Sequence, residues 1–204
     1  MSTLEHEHEH EHAAESHHLP PAQVADQQRR AVLFFILADA VFFACLLFTY
    51  FYLRSLDVNG GWLPEGTSTA PSWQVWLITG VVVLSALAYR SAERGIRAGQ
   101  RQRFQTGALV GLVLVLASIG LVVYQAMTWP ILMTDGGYAS TFIVITFTQL
   151  VHLVMLLVVA IGIWNRGNRG KLDDSSNHAT VVGYFWYWVT LTAVLGACTT
   201  FFAR

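Results

Sequence analysis

Four polar side chains, Asp39, Gln125, Gln149 and His152, stand in otherwise apolar surroundings. Asp39 most needs a chemical explanation. It lies in RRAVLFFILADAVFFACLLFTYFYLRSL, residues 29–56, whose other charges are the two leading arginines and Arg54. An aspartate near a bilayer centre costs on the order of 3 kcal/mol on insertion scales, so it faces other helices, pairs, or stays protonated. Thr146, Gln149 and His152 recur three residues apart in a second apolar run and lie along one helical face. Asp39 and His152 fall at matching depths, which allows a buried contact, direct or through Gln149. Pairing would keep Asp39 ionised at a cost that an isolated carboxylate could not meet. The alternative is a protonated Asp39 bonded to a threonine hydroxyl or backbone carbonyl, with His152 an ordinary interhelical donor.

Metal chemistry is the second possibility. Four Glu-His repeats run from Glu5 to His12, followed by His17 and His18. Such tracts capture zinc, nickel or copper loosely, but they also occur as plain solvated tails. Haem or copper inside the membrane needs several histidines at matched depth, and the apolar runs hold only His152. The chain is therefore expected to bind no haem or metal in its membrane part. Cys45 and Cys198 both fall in apolar runs without C-x-x-C spacing and read as small core residues.

The elements that must position these groups are membrane spans. Of 204 residues, 54% are hydrophobic and 12% charged, with mean hydropathy +0.46. A soluble domain carries about a quarter charged residues, so the chain reads as an integral membrane protein. About 20 apolar residues of helix cross a hydrocarbon core of roughly 30 Å. Five runs qualify, at about 31–53, 73–89, 105–128, 140–164 and 180–202. The expected fold is all-α, a bundle of five transmembrane helices over 29–204, preceded by a disordered Glu/His-rich tail over 1–28. No apolar stretch of signal-peptide type occurs in the first thirty residues, so the first span is expected to direct insertion itself.

Charge assigns the sides. Ten of the twelve basic residues, among them Arg90, Arg94, Arg97, Arg101 and Arg103 in the second connection, fall on one side of this map. The N-terminus is then cytoplasmic and the C-terminus external. Basic residues confined to membrane edges leave no case for nucleic acid. The five arginines suit anionic lipid headgroups, although determining topology explains them equally well. Within the third span Gly107 and Gly111 form a G-x-x-x-G pair, and Gly111, Ser118 and Gln125 recur every seven residues. Small and polar residues on one stripe are how helices pack closely in lipid. Transport as an independent activity is disfavoured by spans without internal proline and with a single ionisable acid.

The chain from Arg29 to Phe202 resembles subunit III of the haem-copper terminal oxidases, in the shorter five-helix bacterial form. FFILADAVFFACLLFTYFYLRS is similar to the family's first shared helix, with Asp39 where glutamate is usual. SIGLVVYQAMTW resembles its glycine-then-glutamine helix end, matching Gln125, with Thr128 where an acid is common. In DGGYASTFIVITFTQLVHLVMLLVVAIG the residues Tyr138, Ser140, Thr141, Phe142, Thr146, His152 and Gly162 fit, while Gln149 replaces a histidine. In GYFWYWVTLTAVLG, Tyr187 and Thr190 stand at the places of a histidine and an aspartate. The resemblance implies a non-catalytic, multi-pass subunit of a bacterial plasma membrane that contacts oxidase subunit I and subunit II. It also implies phospholipid held between the helices, support of proton uptake and turnover stability, and haem and copper carried by the partners. The whole complex reduces oxygen to water with electrons from cytochrome c or quinol and moves protons outward. Two alternatives remain: a related membrane subunit associated with nitric oxide reductase, and a free-standing membrane protein with a metal-binding tail.

Overall fold

A computed structural model describes residues 20–57, 60–129, 131–172 and 176–202. Five helices follow one another: α1 (Pro21–Ser55), α2 (Ser72–Arg97), α3 (Arg101–Thr128), α4 (Gly137–Asn168) and α5 (Ser176–Phe202). All five are long and apolar enough to cross a membrane.

Each helix runs beyond the apolar stretch that announced it. α1 begins at Pro21, inside the segment expected to be disordered. Proline is pre-set for a first helical turn, and the following AQVADQQ contains good helix formers that extend the apolar helix outward. The Glu-His repeats lie outside the described residues. The second connection is likewise mostly helix. α2 continues to Arg97, α3 starts at Arg101, and the reversal is confined to Ala98–Gln100 around Gly99, whose φ is +69°. SAERGIR has no helix breaker strong enough to stop α2 earlier, and Arg97 pairs with Glu93 one turn back.

α2, α3, α4 and α5 form a closed ring in which each helix packs on the next and α5 returns to α2. α1 lies outside and, among the described residues, α4 and α5 are the only helices it packs against. Lipid tails are as apolar as leucine, so shape and hydrogen bonds must close such a ring. At Gly107 a Cβ would sit 2.9 Å from the Ala88 carbonyl oxygen and the Ala92 amide nitrogen, so α2 and α3 meet backbone to backbone. Gly111, Ser118 and Gln125 are buried along the same stripe. Trp186 fills the centre: it is fully buried, stacks on Tyr89 at 4.3 Å between ring centroids, and donates its indole N–H to Ser85 at 3.0 Å.

The other end, away from the arginines, has its own aromatic core of Tyr50, Trp62, Tyr138 and Phe142. Trp62 is buried here, because the connection after α1 folds onto the start of α4. Its Gly61 and Trp62 carbonyls accept the Gly137 and Tyr138 amides at 3.1 and 2.9 Å. Gly136 makes the tight entry possible with φ +115°, a Cβ there falling 2.5 Å from Pro64.

Candidate functional site

α1 carries Asp39 near its midpoint and turns it toward α4 and α5. His152 Nε2 lies 3.1 Å from Asp39 Oδ1 and 3.0 Å from Oδ2, and Trp188 donates its indole N–H to Oδ2. The Asp39 and His152 side chains are 14% and 5% exposed. With hydrogen on Nε2, the imidazole and the indole both donate to the carboxylate. His152 Nδ1 has no partner among the described residues.

Gln149 is not part of this group. Its amide donates to the Val189 carbonyl at 3.2 Å and accepts the Thr192 hydroxyl at 3.0 Å, tying α4 to α5 inside the ring. Gln125 is buried, with its Nε2 unpartnered. It lines a cavity of about 60 Å³ with Thr79, Thr146, Gln149, Thr192 and Thr200.

The arginines divide between two tasks. Arg90, Arg94 and Arg97 border a pocket of about 460 Å³ with Glu93, Tyr184 and Tyr187. Arg90 and Arg94 make no hydrogen bond or ion pair among the described residues. Arg97 pairs with Glu93, and the Tyr187 hydroxyl donates to the same carboxylate at 2.9 Å. Arg101 instead donates to the Gly167 and Asn168 carbonyls at 3.1 and 3.0 Å, capping the end of α4. Arg103 reaches Ser91 at 3.4 Å.

Several participants escaped the sequence reading. Trp188 closes the aromatic run from Tyr184 near the start of α5. Glu93 is a second buried acid, only 8% exposed, beyond the expected end of the second span. Asn177 accepts from Arg29 and donates to the Ala25 carbonyl and the Gln28 side chain at 3.3 and 3.2 Å, fastening α1 to α5. His178, expected in a connection, is on α5. Cys45 is exposed on the outer face of α1 rather than in the core, and Cys198 is half-buried.

Five apolar helices, with a largely buried carboxylate, imidazole and indole between α1, α4 and α5, define a multi-pass α-helical membrane protein. A profile of the cytochrome c oxidase subunit III family matches residues 7–195, and the chain belongs to that family. Proteins named cytochrome c oxidase subunit 3 are similar to it. That of Triticum aestivum is 27% identical over 183 residues, covering 85% of this chain and 66% of the relative. That of Prototheca wickerhamii is 24% identical over 181 residues, covering 85% and 67%. That of Danio rerio is 31% identical over 150 residues, covering 69% and 55%. The chain thus spans between about half and two thirds of the length of these relatives.

Proposed function

We propose that the chain is the non-catalytic subunit III of a respiratory haem-copper oxidase in a bacterial plasma membrane. Membership of the subunit III family over nearly the whole chain carries this reading. Haem, copper and oxygen reduction to water belong to the partner subunits. Subunit I is the main contact and subunit II the second. This chain supports lipid binding, proton uptake and the stability of the catalytic subunit. α1 presents Phe34, Phe42, Phe48 and Phe51 outward, all at least half exposed, as a helix suits that meets lipid or a neighbouring subunit.

Phospholipid is the expected non-protein component. A cleft of about 430 Å³ separates α1 from α4 and α5, apolar along Val32, Val159 and Val182 with Arg166 and His178 in its lining. The unpaired Arg90 and Arg94 offer a second anionic headgroup position beside Tyr184. The test is isolation of the native protein in mild detergent, with identification of its companions and a haem spectrum of the same sample. Haem-bearing and copper-bearing oxidase subunits are expected. Companions of the nitric oxide reductase type, or a haem-free sample without companions, overturn the assignment.

A further inference from the structure

The 60 Å³ cavity inside the ring takes polar side chains from all four ring helices: Thr79 of α2, Gln125 of α3, Thr146 and Gln149 of α4, and Thr192 and Thr200 of α5. Gln125, Gln149, Thr192 and Thr200 are buried. Thr192 and Thr200 are eight residues apart, so the polar lining runs about 12 Å along α5 at the helical rise. A threonine in an apolar helix spends its hydroxyl hydrogen on a carbonyl of its own helix. Thr79 donates to Val75 at 2.8 Å and Thr200 to Gly196 at 2.9 Å, while the Thr192 hydroxyl lies 2.9 Å from the Val189 carbonyl and 3.0 Å from Gln149 Oε1. Their oxygens remain as acceptors with no hydrogen to spare.

Gln125 brings the opposite demand. It is 4% exposed and its Nε2 has no partner among the described residues. The buried Gln74 of α2 shows the complementary deficit: its Nε2 donates to Thr128 at 3.0 Å, and its Oε1 is unpartnered. The Thr128 hydroxyl lies 3.4 Å from the Gln125 carbonyl, so an unmatched acceptor on α2 and an unmatched donor on α3 are joined through one threonine. An unmatched buried polar atom costs more than an ordinary hydrogen bond gains. The occupant that relieves these groups must accept from an amide and donate to hydroxyl oxygens. A monovalent cation suits the oxygens, but it is opposed by the Gln125 N–H₂ group and finds no carboxylate in the lining. An apolar gas leaves every polar group unmet. Water meets both demands, and the cavity has room for about four molecules at most.

We propose that the ring of α2–α5 is built around a cluster of internal water, anchored by the Gln125 amide and donating to the threonine oxygens of α2 and α5. The water is a structural ligand that links the four helices where side chains do not reach one another. The cluster ends at Gln149, whose amide is closed off by Val189 and Thr192, one turn short of His152 and the Asp39 group. It is a blind hydrated site inside the ring. The inference rests on the cavity alone and does not depend on the oxidase assignment.

The test uses the complete protein in nanodiscs with isotope-labelled glutamine and threonine, and reads magnetisation transferred from water by NMR. The Gln125 side-chain amide should give a water cross-peak, and the methyl groups of Thr79, Thr192 and Thr200 should receive magnetisation from water. In Gln125→Met, similar in length but without the donor, the transfer to these methyl groups should disappear. Two further measurements need only the wild type. Xenon, which fills dry apolar cavities, should leave the Ile78 and Ile145 methyl shifts unchanged, and replacing sodium by potassium should leave the threonine methyl shifts unchanged. Absence of a water cross-peak at Gln125 overturns the proposal, as does transfer that persists in Gln125→Met. Xenon shifts at Ile78 and Ile145 would reveal a dry cavity, and shifts on changing the cation would reveal an ion site; either result overturns it as well.

Discussion

The ring and the outer helix are built on opposite terms. α2–α5 close on one another through backbone approach at Gly107, the Trp186 plug and the buried stripe of Gly111, Ser118 and Gln125. α1 has little buried surface, and a few separate fastenings hold it: the Asn177 group near Arg29, Phe35 against Phe185, the Asp39 group at mid-membrane, the buried Phe43, and Tyr50 against Trp62 and Tyr138 at the far end. Between the first two lies the 430 Å³ cleft. In lipid, apolar contact alone gives no preference for protein over acyl chains. A helix attached by few polar points can therefore part from its neighbours locally, whereas the ring must break as a unit.

The sharpest way to break the comparison is at Gly107. A leucine there would force α2 from α3, because the obstructing atoms are backbone. Overpacking typically costs about 1–3 kcal/mol and occasionally more; the rigid contact places Gly107→Leu at about 3 kcal/mol or beyond. Hydrogen exchange in detergent should rise over α2, α3, α4 and α5 together. A rise confined to α2 would show that the ring is not one cooperative unit.

Asp39→Leu should be the next largest. It leaves the His152 and Trp188 N–H groups facing a methyl surface, at about 1–3 kcal/mol for unpaired buried donors. Exchange should increase along α1 while the ring keeps its wild-type protection. Equal loss in both regions would mean that Asp39 holds the whole bundle.

How much of this was legible in the sequence follows from the same contrast. The five spans were readable because lipid sets a minimum apolar length, and the Asp39–His152 contact because matched depth needs only residue counting. Rotation about the helix axis was harder. Gln149 and His152, three residues apart, differ by about 60° in direction at 3.6 residues per turn, enough to point one into the ring and the other at α1. Trp188 was hidden for a related reason: an aromatic run at a span's start says nothing about which ring turns inward. Glu93 and the helical arginines lay beyond the apolar windows, where hydropathy stops reporting although the helix continues.

Asp39→Asn sharpens the contrast further. The amide keeps the shape and one acceptor oxygen, so Trp188 retains its partner while His152 Nε2 faces an N–H₂ group. A neutral imidazole can meet it by moving its hydrogen to Nδ1, at the cost of leaving that hydrogen unpaired. The expected loss of α1 protection is about 1 kcal/mol, smaller than for leucine. A loss as large as that of Asp39→Leu would instead mark a charge interaction as the chief fastening.

The smallest effect is expected at Asn177, and its value lies in its position. Its bonds to Arg29, Ala25 and Gln28 are only part-buried, at the edge where water competes for the same groups. Asn177→Ala should cost about 0.5–1 kcal/mol. Faster exchange should be limited to the first turns of α1, roughly residues 21–32, because Phe35 against Phe185 and the Asp39 group hold the helix independently beyond them. If exchange rose past Asp39 as far as Tyr50, α1 would be one rigid body and its fastenings would act as a single cooperative contact.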